Sequence, residues 1–172
     1  GVGKTTVASS VCKNQKIRRT FDCHAWVTVS QTYQAEELLR EIMNQLIEQR
    51  ASLASGFMTM SRMRLVEMIQ NYLRDYFIVL DDVWEKDAWL FLNYAFARNN
   101  CGSKVLITTR RKDVSSLTVH SRVIELKTLN YTESWELFCK KAFFALEGNI
   151  CPKNLTSLAE KVVDKCQGLP LA

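Results

Sequence analysis

The chain has 172 residues, 47% of them apolar and 24% charged, which excludes a disordered segment and suffices for one sizeable core plus part of a second domain. No apolar run approaches the roughly 18 residues that a membrane-spanning helix needs, and no secretory signal is visible, so the sequence reads as a soluble cytoplasmic protein with no membrane span. The net charge of +5 is too small to specify a nucleic-acid partner, and the densest basic stretch (Arg98, Lys104, Arg110, Arg111 and Lys112) reads as a solvated face plus one cation aimed at a bound phosphate.

The chain opens on Gly1-Val2-Gly3-Lys4-Thr5-Thr6, the last six residues of a Walker A phosphate loop whose first glycine would lie upstream. A start inside a motif, with no initiator methionine, leads us to expect a piece of a longer protein. From residue 3 to about 14 the sequence suits a helix rising from that loop, where orphan N–H groups and the positive dipole end favour an anion. Cys23-His24-Ala25-Trp26-Val27-Thr28-Val29 is β-branched and aromatic without a helix stripe, and predicts a strand. Residues 34–50 follow with Leu38, Leu39, Ile42, Met43, Leu46 and Ile47 on one helical face. Residues 51–60 read as a loop, and 63–73 as a helix with Val66, Ile69 and Leu73 in one stripe. Phe77-Ile78-Val79-Leu80 is wholly apolar, the pattern of a parallel strand covered on both faces, and it ends in Asp81-Asp82. A helix carrying Trp89, Phe91, Leu92 and Phe96 leads to Gly102-Ser103 and a second buried strand over residues 104–109, closing on Arg110. Residues 123–126 read as an edge strand. Alternation of this kind predicts a doubly wound α/β fold.

The texture changes near Thr128. Asn130 and Glu133 form a capping-box pattern, and Tyr131, Trp135, Phe138, Cys139, Ala142 and Phe143 recur at helical spacing behind it. Another helix carries Leu155, Leu158, Ala159, Val162, Val163 and Cys166 on one side and stops at Gly168, with Pro170 just beyond. The predicted organisation is a nucleotide-binding α/β domain over residues 1–128 and the beginning of a helical domain over residues 129–172.

A phosphate loop needs a partner for its Mg²⁺, and open α/β sheets bind ligands at the carboxyl ends of their strands. Asp81 stands at such an end and is the predicted metal-holding carboxylate. Asp82 either orients or deprotonates an attacking water or caps the helix that follows. Arg110, at the next strand end, is either a sensor of the terminal phosphate or an exposed cation beside Arg111 and Lys112. Thr108 and Thr109 read as strand residues rather than ligands. His24 and His120 have no partner at recognisable spacing and read as structural, and Trp26, Trp84, Trp89 and Trp135 read as core or domain-seam packing. The cysteines Cys12, Cys23, Cys101, Cys139, Cys151 and Cys166 form no C-x-x-C pair and read as reduced thiols.

The ordered set GVGKTT, FDCHAWVTVSQTY, FIVLDDVW, GSKVLITTR, LNYTESWELFCKKAFF and GLPLA closely resembles the NB-ARC module of plant disease-resistance proteins, intracellular receptors with leucine-rich repeats. Trp84 closing Asp-Asp-Val-Trp, with Ala25-Trp26-Val27, is similar to the branch that carries an N-terminal coiled coil rather than a Toll-like domain. The resemblance implies a P-loop NTPase sheet lacking its first strand, followed by an incomplete ARC1 helical subdomain. It also implies an ADP/ATP switch: ADP holds the receptor closed, ATP opens it toward homo-oligomeric signalling, and slow hydrolysis resets it. By position, Gly1, Val2 and Gly3 supply backbone donors, Lys4 binds the β/γ phosphates, Thr5 ligates Mg²⁺ and Thr6 contacts the α or β phosphate. Asp81 then holds Mg²⁺ through water, Asp82 assists hydrolysis, Arg110 senses the γ-phosphate and Pro170 packs near the adenine. The implied partners are the receptor's own coiled coil and repeats and, indirectly, a pathogen effector or a guarded host protein. A conventional fast P-loop ATPase and a scaffold that has lost nucleotide chemistry are the other classes compatible with the residues. Retention of Lys4, Thr5, Asp81 and Arg110 argues against the second.

Overall fold

The computed structural model describes residues 1–48, 56–96, 102–116 and 122–171. The chain resolves into two compact units, Thr5–Val123 and a smaller one in which Gly1–Lys4 joins Ile124–Ala172. Arg50, Arg98, Cys101, His120, Ala172 and the first half of the predicted loop, residues 51–55, lie outside the described residues.

The larger unit is built on a parallel sheet. Helix α1 (Lys4–Lys13) is followed by α2 (Gln15–Thr20), β1 (Cys23–Thr28), α3 (Ala35–Glu48), a 3-10 turn at Phe57–Thr59 and α4 (Arg62–Tyr72). Then come β2 (Tyr76–Asp81), α5 (Lys86–Ala95), β3 (Lys104–Ile107) and the short α6 (Lys112–Ser115). The strand order is β1-β2-β3, with Val27 opposite Leu80 and Leu80 opposite Ile107. Both pairings are parallel, as the helical crossovers require.

The central strand explains its own composition. All six residues of β2 are buried. Tyr76, Ile78 and Leu80 face a core made with β1, α3, α4 and α5, in which Leu39, Ile42, Leu65, Ile69 and Leu92 are fully enclosed. Phe77 and Val79 face the other way, onto Ala8 of α1 with Val11, Ile17 and Phe21 around it. A strand sandwiched between helical layers has no solvent face on which to place a polar side chain.

The expected first helix forms as α1, and a second, unpredicted helix follows it directly. The Asn14 side chain accepts a 2.9 Å bond from the backbone N–H of Lys16 and starts α2 afresh. Asparagine competes with the helix backbone in this way, and the resulting six-residue helix has no stripe from which it could be foreseen. The predicted edge strand over 123–126 is not formed: residues 122–130 have no regular structure, and Val123 and Ile124 are 60% and 73% exposed. A short β-branched, apolar run becomes a strand only where a neighbour supplies the ladder, and none of the described residues does so here.

One edge of the sheet is closed by a side chain. The Trp26 backbone N–H donates to Gln45 Oε1 and the Gln45 Nε2 donates to the Trp26 carbonyl, each at 2.7 Å. Both are the outward groups of an edge strand, and a carboxamide from α3 replaces a further strand as their partner. Gln45→Leu is expected to leave them unpaired and lower the stability of the sheet by about 1–3 kcal/mol, read as a shift in the urea midpoint at unchanged slope.

The smaller unit pairs α7 (Tyr131–Ala142) with α8 (Thr156–Cys166), with 3-10 turns at Glu147–Asn149 and Lys153–Leu155 between them. The expected capping box is formed, with Glu133 N–H donating to Asn130 Oδ1 and Asn130 N–H donating to Glu133 Oε2, each at 2.9 Å. On α8 only Ala159 and Val163 of the predicted face are buried, while Leu158 and Val162 stay largely open. One partner helix covers one seam of a stripe that is wider than that. No described helix is long and apolar enough to cross a membrane.

Candidate functional site

Side-chain parity along the strands decides what meets at their carboxyl ends. Asp81 is two residues beyond Val79, so its carboxylate is directed to the α1 side of the sheet. Thr108 is two residues beyond Leu106, which faces the same side. Thr5, in the first turn of α1, completes the group.

The Thr5 hydroxyl lies 2.9 Å and 3.0 Å from the two oxygens of Asp81 and donates to the carboxylate. Thr108 Oγ1 donates to Asp81 Oδ1 at 2.6 Å. Asp81 is only 5% exposed and Thr108 7%. A carboxylate taken out of water must recover its solvation from donors, and here two hydroxyls from different elements supply them.

Thr108 has a second task. Its hydroxyl oxygen accepts the backbone N–H of Asp82 at 2.9 Å, so one side chain ties both acids to the end of β3. That bond fixes a backbone whose φ of 56° lies in the left-handed region, which aspartate enters more readily than most non-glycine residues. Main-chain bonds from Val83 N–H to the Thr108 carbonyl (2.9 Å) and from Thr108 N–H to the Leu80 carbonyl (2.9 Å) add to the restraint. Thr109 donates to the Val83 carbonyl at 2.6 Å. Thr108 and Thr109 thus lie past the last strand residue, Ile107, and act as clamps on the turn after β2, contrary to their reading as strand residues.

Asp82 is itself held from two directions. The Trp84 indole N–H donates to its Oδ2 at 3.1 Å, and Arg110 Nε lies 3.6 Å from its Oδ1. The Arg110 guanidinium also sits 5.4 Å from the centroid of the Trp84 ring. Trp84 is thus only half-buried and contacts the acidic strand end instead of packing in the core. The basic run separates in space: Arg111 turns away in a two-bond pair with Asp113 (3.1 Å and 3.0 Å) and holds that carboxyl below its usual range. Arg110 is the member aimed at the acidic strand end.

In the smaller unit, Gly3 has a φ of 91°, a conformation that glycine supplies without strain at the bend into α1. Gly1 packs on Leu171, whose Cβ lies 2.8 Å from where a Cβ at position 1 would stand. Lys4 and Pro170 are partly buried, Val2 likewise, and Thr6, in the larger unit, is exposed. The first turn of α1 carries no acidic side chain of its own, so the carboxylate nearest to the positive end of the helix dipole comes from the strand end, Asp81. Among the described residues no three His, Cys, Asp or Glu side chains converge as a metal-binding cluster.

The model of the NB-ARC domain family matches residues 1–147. The chain belongs to the NB-ARC domain family. This NB-ARC domain is 36% identical over 177 residues to disease resistance protein RPM1 of Arabidopsis thaliana, with all of the chain and 19% of that protein covered. It is 34% identical to disease resistance protein RPP13 of the same plant, over 99% of the chain and 21% of that protein. To disease resistance protein RGA2 of Solanum bulbocastanum it is 33% identical, over 100% of the chain and 17% of that protein. The chain thus spans about a fifth of the length of the curated relatives it matches. With this membership the parallel sheet and its flanking helices are those of a P-loop NTPase fold, followed by helical structure.

Proposed function

We propose that this NB-ARC domain is the ADP/ATP-operated switch of a plant intracellular immune receptor, with slow hydrolysis resetting the signalling state. The observation that carries the reading is the meeting of the phosphate-loop hydroxyl of Thr5 with the strand-end carboxylate of Asp81. A hydroxyl and a carboxylate side by side form the hard-oxygen donor set that Mg²⁺ prefers, so these residues fit the ion that the family implies. Thr5 would ligate it and Asp81 would hold its hydration shell; when bound, the ion neutralises charge on the β and γ phosphates.

The remaining roles follow the motifs. Gly1, Val2 and Gly3 present backbone N–H donors, Lys4 binds the β/γ oxygens and Thr6 the α or β phosphate. Asp82 orients or deprotonates the attacking water, Arg110 senses the γ-phosphate, and Pro170 packs near the adenine, linking residues 129–172 to the nucleotide-binding residues 1–128. Moving a two-state receptor from mostly closed to mostly open takes about 5.5 kcal/mol of differential binding, to which a γ-phosphate with its own cationic partner contributes. In the whole protein the partners are the receptor's coiled coil and leucine-rich repeats, an effector or guarded host protein, and other copies after activation.

The test is the nucleotide carried by the purified protein, released by denaturation and identified by chromatography. ADP in near-stoichiometric amount is the expected result. A protein that carries no nucleotide and takes up none would defeat the proposal, and rapid multiple-turnover hydrolysis would replace the switch with a conventional ATPase.

A further inference from the structure

The contacts of Trp84 are the largest part of the site that the proposed roles leave unused. Its indole N–H is committed to Asp82 Oδ2 at 3.1 Å, and its ring face carries the Arg110 guanidinium at 5.4 Å. The same guanidinium reaches the other Asp82 oxygen at 3.6 Å. Three side chains thus close a ring in which each touches the other two, on a backbone that Thr108 and Thr109 pin to the end of β3. The ring is accessible: the Arg110 side chain is 63% exposed and that of Asp82 33%.

We infer that Trp84 is a positioning residue that parks Arg110 against Asp82, so that the guanidinium is withheld from the nucleotide until a terminal phosphate competes it away. The inference rests on the phosphate-sensing role proposed for Arg110. Its physical content is a competition. An Arg–carboxylate pair at 3.6 Å with a cation–π contact beneath it is a shallow well at this exposure, whereas a phosphate offers bidentate geometry and more charge. A diphosphate, lacking the terminal group, leaves the parked arrangement in place. Release also uncovers Asp82 Oδ1, the oxygen that a water-orienting role needs, so one movement would prepare sensor and base together. Trp84 sets the threshold: its ring stabilises the parked cation, and its N–H fixes the carboxylate rotamer that receives it.

The test is a double-mutant cycle on the intact nucleotide-free protein, with the affinities for ATP and ADP measured in Mg²⁺ by calorimetry. Trp84→Leu removes both contacts and should raise ATP affinity relative to ADP by about two- to fivefold, the range a partly exposed cation–π contact supports. Trp84→Phe keeps a ring and loses the N–H, and should give a smaller shift in the same direction. It also serves if the leucine protein does not fold. In an Arg110→Ala background neither change should alter the ratio. A Trp84 shift that persists without Arg110, or no shift at all while Arg110→Ala abolishes ATP preference, overturns the inference and leaves the switch standing. If Arg110→Ala leaves the ratio untouched, the sensor reading itself fails.

Discussion

Asp81→Asn should weaken binding of magnesium nucleotide about 10- to 100-fold while the protein remains folded, the loss expected when a carboxylate that holds a metal through its hydration shell is neutralised. Asparagine is nearly isosteric, and its carbonyl can still accept from Thr108, now 2.6 Å from Oδ1, so the turn after β2 keeps its clamp. The charge is removed, and one of the two oxygens that accept from Thr5 becomes an NH2 donor. Calorimetric titration with ADP, in excess Mg²⁺ and again in chelator, separates the effects: the wild-type advantage in Mg²⁺ should collapse, and the chelated affinities should coincide. An asparagine protein that binds magnesium nucleotide as tightly as the wild type would remove Asp81 from the metal site. Asp81→Ala is the poorer test, because it strips the buried Thr108 hydroxyl of its acceptor at a cost of about 1–3 kcal/mol.

Gly168→Ala should disrupt the end of the helical unit at a cost of about 2–3 kcal/mol. The φ of Gly168 is +72°, and a Cβ there would stand 2.2 Å from the backbone oxygen of Leu129 and 3.1 Å from its nitrogen. Neither is the movable end of a flexible side chain, so the chain must shift. The shift strains the 2.9 Å bond from Leu129 N–H to the Gly168 carbonyl, which joins the segment before α7 to the end of α8. Left-handed strain contributes about 1–2 kcal/mol, and loss of the bond about 0.5–1.5 kcal/mol more. Hydrogen exchange should show α8 and the residues around Leu129 losing protection, with the sheet of the larger unit unaffected. An alanine protein with wild-type protection in α8 would show that the backbone relaxes freely and that the argument from contact is wrong.

The parts of the fold that were legible are those with a strong local period. The apolar run of β2, the stripe of α3 and the Asn130–Glu133 box formed as their residues dictate, because burial, spacing and capping act over a few residues. The short helix after Asn14 was hidden, since a single asparagine side-chain bond starts it and its six residues carry no stripe. The run at 123–126 misled for the opposite reason: its pattern was right, and its ladder partner was absent among the described residues.

The site divides along the same line. By itself the sequence determined the chemical vocabulary, because GVGKTT, the acid pair behind an apolar strand and the arginine behind the next one are local patterns with a physical reason for their order. Only the tertiary structure decided which groups serve one another. Thr108 and Asp81 are 27 positions apart, and Thr5 and Asp81 are 76 apart. Threonine in a strand pattern and tryptophan after an acid pair look the same whether they pack or bond. Register and parity, set by the pairing of β2 with β3 and by which face α1 covers, turned Thr108 into a clamp and Trp84 into a seat for Arg110.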